Sequence, residues 1–155
     1  MTNNEYVNIV LHSIKHEIIG FLQNDMLLTI QNISDMEGSL PETNRASIEL
    51  NSHIKFTASI SIDEELFNFL FKKFFTQKVE DSEKEELYEL FPDEIINIVV
   101  GLAIRYFPSE LGDFDLSIPF KLTGEKYQEM LKNNISKSLK ISTNHGAFVY
   151  TVSYH

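Results

Sequence analysis

The sequence predicts an α/β domain, and three observations carry that prediction. Near the start, Val7, Val10, Leu11, Ile14, Ile18, Phe21 and Leu22 recur at helical spacing and form one apolar face. Two later stretches, "ASIELNSHIKFTASISI" and "SLKISTNHGAFVYTVSY", alternate apolar and polar residues about short polar turns, as β-hairpins do. Between them, "FPDEIINIVVGLAIRYFP" (Phe91 to Pro108) has the period of a long helix. The chain has 155 residues, 43% of them hydrophobic, which is enough for a real core. No Pro- or Ser-rich linker divides it, so residues 1–155 are expected to form one domain.

The first helix is expected from about Glu5 to about Gln23. From Asn24 to Arg45, Gly38, Pro41 and several polar residues suggest a loop with one irregular strand. The first hairpin sets Ile48 and Leu50 against Ile54, Phe56, Ala58, Ile60 and Ile62, turning at Asn51-Ser52-His53. "DEELFNFLFKKFF" follows as a helix with Asp63 as its N-cap, and its phenylalanines are core candidates. "VEDSEKEELYEL" reads as a separate, short acidic helix with a solvated face. Pro92 then suits the first position of the next helix, where its missing N–H costs nothing. After that helix, "DLSIPFKLTG" alternates Leu116, Ile118, Phe120 and Leu122 on one side, and Pro119 marks an edge strand or a bulge. "KYQEMLKNN" reads as a short helix, and the final hairpin turns at Asn144-His145-Gly146.

Charge and composition exclude several classes of function. A formal net charge of -10 argues against binding a nucleic-acid backbone or an anionic membrane. The absence of cysteine excludes a disulfide framework, a cysteine nucleophile and a thiolate metal site. No apolar run approaches the roughly 20 residues of a membrane span. "MTNNEYVNIV" has neither the basic nor the apolar region of a signal peptide, so a cytoplasmic protein is expected. His12 and His16 have a metal-chelating i, i+4 spacing, but they lie opposite the apolar face with no third ligand in evidence. No Gly-rich phosphate loop and no Gly-x-Ser-x-Gly elbow occurs.

What remains is the helix from Phe91. At about 100° per residue, Ile95, Ile96, Val99, Val100, Leu102, Ala103 and Tyr106 fill a broad apolar arc. Glu94, Asn97, Gly101 and Arg105 form a narrow stripe on the opposite side, with Ile98 at its edge. Asp93 and Glu94, read as close to the N-terminus, would complement the helix dipole. A Glu and an Asn on an exposed stripe need no function by themselves, and Gly101 could serve only to admit a crossing chain segment.

The pairing of "DEIINIVVG" with "DLSIPFKLTG" resembles the CheC/CheX family of chemotaxis phosphatases. In that family a helix carries Glu-x-x-Asn with a glycine one turn on, and a strand of the type "l-s-l-P-x-v-x-x-G" follows. Glu94, Asn97 and Gly101 match the first part; Pro119 and Gly124 match the second. Two positions depart from the family pattern. Asn51-Ser52-His53 stands where a hairpin glycine is usual, and Leu90 stands where an acidic residue is frequent one turn before the motif Glu. Glu17-Ile-Ile-Gly20 faintly echoes the motif, but Gly20 has no side chain to place, so the resemblance is to single-site, CheX-like members.

The resemblance implies an α+β fold, a mostly antiparallel sheet with long helices packed on it. It implies a phosphatase acting on the aspartyl phosphate of a response-regulator receiver domain, with a homodimer as the assembly. Glu94 would pair with the receiver's lysine, and Asn97 would hold the attacking water in line with phosphorus. Ile98, Gly101 and Arg105 would join these two in contacting the receiver. No cofactor of its own is implied, Mg²⁺ being held by the receiver. The alternative within the same fold is a non-catalytic module that binds a receiver or a flagellar-switch component.

Overall fold

The structure is a computed structural model that describes residues 1–37, 40–75 and 79–155; Gly38, taken above as a loop signal, lies outside the described residues. Helix α1 (Asn3–Gly20) starts at Thr2, whose hydroxyl accepts the Glu5 N–H. It runs into a wider π turn over Phe21–Asp25. Strand β1 (Ile30–Met36) is the irregular strand expected before the first hairpin. In that hairpin, β2 (Ala46–Asn51) and β3 (Lys55–Ile62) pair Ile48 with Ala58 and Leu50 with Phe56. The turn is Ser52-His53-Ile54 rather than Asn51-Ser52-His53, because Asn51 is the last residue of β2 and pairs with Lys55; Ser52 Oγ holds the tip by donating to the Leu111 carbonyl at 2.8 Å. Asp63 is the N-cap residue of α2 (Glu64–Phe74), as expected, but its side chain bonds elsewhere: its Oδ2 accepts the Ala147 N–H at 2.7 Å.

The main correction to the sequence reading is α3 (Asp81–Ala103). The acidic run and the motif stretch are one 23-residue helix with Pro92 inside it, not two helices with Pro92 opening the second. An interior proline has no N–H for the carbonyl four residues back and costs about 3 kcal/mol. Aromatic packing offsets that cost. Phe91 is buried with its ring centroid 5.4 Å from Phe67 and 5.6 Å from Phe71, and Tyr88 meets the same two rings at 4.8 and 5.2 Å. Tyr88 also donates to the Glu64 carboxylate, with the Asn68 carboxamide 2.7 Å from the same hydroxyl. Burial, then the bond to Glu64, pushes the Tyr88 pKa up to about 12. Asp93 and Glu94 are therefore mid-helix, and the acids of the first turn, which meet the helix dipole, are Asp81 and Glu83.

Tight turns over Ile104–Tyr106 and Ser109–Leu111 lead to β4 (Asp115–Leu116), then α4 (Gly124–Asn133), β5 (Ile135–Thr143) and β6 (Gly146–Tyr154). The six strands make one antiparallel sheet in the order β1-β5-β6-β3-β2-β4. The final hairpin closes on Asn144-His145, with Gly146 at φ 134, a conformation that favours glycine. Helices α1, α2 and α3 share a core with one sheet face through residues such as Ile14, Phe67, Ile95, Val99 and Phe148. Helix α4 builds a smaller core in which Tyr127 and Met130 meet Leu40 and Val149. Among the described residues, no helix is long and apolar enough to cross a membrane.

Candidate functional site

Ile95, Ile96, Val99 and Val100 are at most 1% exposed, and each such burial contributes about 1.5–3 kcal/mol. That fixes the roll of α3 about its axis. The same roll turns Glu94, Asn97 and Gly101 to solvent and leaves Ile98 half-buried at the edge of their stripe. Glu94 and Asn97 are three residues apart and therefore share a face.

The cations nearest the stripe are already engaged. Lys121 Nζ lies 3.5 Å from Asp93 Oδ1 and donates to the Arg45 carbonyl at 2.6 Å. Arg105 sits in the turn beyond α3 and donates to Glu17 Oε1 at 3.1 Å. That hydrogen bond is the first cause of a guanidinium pKa held above its usual value. Among the described residues, no cation lies within ion-pair distance of Glu94. A carboxylate and a carboxamide thus stand unengaged, side by side, on a helix locked to the sheet.

Two residues assigned to the buried arc are not buried: Leu102 is 44% and Tyr106 48% exposed. At this end α3 faces α1 across a gap that leaves Leu102 uncovered. The gap is a pocket of about 230 Å³ lined by Glu17, Gly20, Ile98, Leu102 and Arg105, among others. Tyr106 lies past the helix end and packs edge-on against His16, centroids 5.2 Å apart. Glu17 is only 9% exposed and held by Arg105, so the Glu17-Ile-Ile-Gly20 echo is an internal ion pair and not a second exposed stripe.

Ile118 is a further correction. Leu116 pairs with Leu50 and Phe120 with Ser47, so Ser117, Ile118 and Pro119 face only Ile48 and Glu49. The extra residue is a β-bulge beside Pro119, which has no N–H to give the ladder. The alternation placed Ile118 with Leu116 and Phe120; beyond the bulge Phe120 comes opposite Ser47, on the other face from Leu116, and Ile118 stands 86% exposed. Pro119 signals a bulge in the sequence but not which side chain is left exposed there.

A larger concavity, about 1310 Å³, shares no residue with the stripe; Asn8, His12, Asp35, Glu129 and Lys132 are among its walls. Among the described residues, no three His, Cys, Asp or Glu side chains come together as a metal site.

A family model described as "Chemotaxis phosphatase CheX" matches residues 45–142. The chain belongs to the CheX family. The matched span contains the Glu94/Asn97/Gly101 stripe and the Pro119/Gly124 segment alike. The fold agrees with that of a CheX from Desulfovibrio desulfuricans, with a TM-score of 0.70 at 13% identity over 94% of this chain and 99% of that one. The CheX-CheY-BeF3-Mg²⁺ complex from Borrelia burgdorferi matches with a TM-score of 0.67 at 18% identity over 97% of each chain. The FliM middle domain of H. pylori shares the fold more distantly, at a TM-score of 0.55 and 11% identity over 99% of this chain and 93% of that one. No curated protein sequence gives a significant match.

Proposed function

We propose that this CheX-family chain accelerates hydrolysis of the aspartyl phosphate on a CheY-type receiver domain. The observation that carries the proposal is the exposed, unengaged Glu94 and Asn97 on one face of α3. Glu94 would form a charge-assisted pair with the receiver's lysine and so set the register between the two proteins. Asn97 has an acceptor and two donors on one carboxamide, so it can fix a water while facing a phosphoryl oxygen. Catalysis would then be positioning of that water, as when a glutamine orients water in a GTPase. Neither a nucleophile nor a cofactor of the chain's own is required, and Mg²⁺ would be supplied by the receiver, in the cytoplasm where receivers work. The Borrelia burgdorferi CheX, crystallised with CheY, supports a receiver as the class of partner.

The second reading is a module of the same fold that binds a receiver or a flagellar-switch component without chemistry. The likeness to a FliM middle domain means that fold alone does not separate the two. Phosphate release from a phosphorylated receiver does. Acceleration by the wild-type chain is expected; binding with no acceleration would leave the second reading standing.

Gly101 has a place in the same reading. A Cβ there would meet only Leu116 Cδ1, at 3.9 Å, so nothing inside the chain requires the glycine. In an exposed helix interior, Gly→Ala should raise stability by about 0.5–1 kcal/mol in urea unfolding. The same Gly101→Ala change should weaken receiver binding, because it removes the close approach of another backbone. Unchanged binding would release Gly101 from the interface. The homodimer belongs to the same proposal: light scattering at micromolar protein should give about twice 17.9 kDa, and a strict monomer would count against it.

A further inference from the structure

The chain from Leu116 to Lys121 runs alongside the motif half of α3. At one end, Leu116 Cδ1 is the atom nearest to where a Cβ of Gly101 would stand. At the other, Lys121 Nζ lies 3.5 Å from the Asp93 carboxylate. The strip of α3 between those two points holds Glu94 and Asn97. Ile118, also between them, is the side chain that stands exposed at the bulge. Bulges are concentrated beside functional sites, where they re-aim a side chain. This one holds a branched apolar side chain 86% exposed, where it gains nothing from the core of its own protein.

We infer that Ile118 is an apolar anchor for the phosphorylated receiver, seated next to the point where Glu94 and Asn97 engage it. The inference rests on the proposed phosphatase reading and deepens it by naming a second element of the docking face. Two features identify the receiver as the occupant. The first is continuity, because Ile118 flanks the stripe that would meet the receiver's lysine. The second is charge. Lys121 and Arg105 are tied to Asp93 and Glu17, and the chain is acidic overall. The stripe therefore offers an unpaired carboxylate to a cation, with an apolar flank that would exclude water from the pair. Desolvation by a rim of apolar contact is what gives a charged pair its worth at an interface.

The test compares wild type with Ile118→Ser and Ile118→Val in steady-state dephosphorylation of a phosphorylated receiver. Binding to the unphosphorylated receiver and solution mass are measured alongside. Ile118→Ser should raise KM about tenfold or more with kcat unchanged, the mark of lost uniform binding. Ile118→Val should recover most of that loss, and thermal melting should not move, because the side chain touches little of its own fold. An unchanged KM in Ile118→Ser, with wild type active, would overturn the anchor and leave the phosphatase reading intact. A shift of oligomeric mass without a KM effect would assign Ile118 to contact between copies and would likewise overturn it. No acceleration by wild type itself would remove both the anchor and the reading beneath it.

Discussion

Asn97→Ala should cut receiver dephosphorylation by on the order of 100-fold, the scale expected when a reacting group loses its position. It should do so at nearly unchanged receiver affinity. The carboxamide's task is to hold a water that becomes a nucleophile, and that interaction matures in the transition state. Loss of such a contact lowers kcat and kcat/KM together and leaves KM in place. The fold should survive, since Asn97 is exposed on α3 and alanine is the better helix former. Single-turnover phosphate release at saturating Asn97→Ala protein reads this directly. Full activity there would mean that the chemistry belongs to another residue.

Glu94→Lys should have the larger effect on binding. Removing the carboxylate alone, as in Glu94→Ala, forfeits a charge-assisted pair of about 2–5 kcal/mol if the pair is well desolvated. At about 1.4 kcal/mol per tenfold, that is a loss of affinity of roughly 30-fold or more. Reversing the charge adds repulsion between two cations, so Glu94→Lys should bind still more weakly. Among the described residues no ion pair is broken by either change, and circular dichroism and melting temperature should match wild type. Titration of labelled receiver against each variant measures the effect. A Glu94→Lys protein that binds as wild type would remove Glu94 from the interface.

The parts of the molecule legible in the sequence are those set by local period. Alternation in "IEL" and "FTASISI" set the faces of β2 and β3, because a one-residue slip would put Ile48 and Phe56 on the wrong face, but not their register: the turn is Ser52-His53-Ile54, so Leu50 pairs with Phe56. The helical period of Ile95, Ile96, Val99 and Val100 gave the outward stripe of Glu94 and Asn97 by the same logic. What stayed hidden depends on partners remote in sequence. Nothing local tells that α3 continues through Pro92, since the phenylalanines that hold it there come from α2. Leu102 fits an apolar arc on the wheel, yet it borders an open pocket between α3 and α1 that the wheel does not show. Arg105 reads as a free charge on the stripe until Glu17 is placed against it. Ile118 and Phe120 obey the alternation, but one extra residue between the Leu116 and Phe120 pairings leaves Ile118 exposed and puts Phe120 on the other face.

The proline in α3 also has a consequence for how the helix moves. A helix that frays from its tip loses amide bonds one after another along a continuous ladder. In α3 that ladder already lacks one rung at Pro92, just where the buried half begins. Every residue from Asp81 to Glu86 is exposed, so opening the acidic tip uncovers no core. Its amides should therefore exchange with solvent through local opening, and those from Ile95 to Ala103 only when the sheet packing is lost, which amide hydrogen exchange would check. Breathing at the acidic end is therefore expected to stop short of Glu94 and Asn97. The two side chains that must meet a phosphoryl group in fixed register sit on the quiet half of a helix whose other half is free to fluctuate.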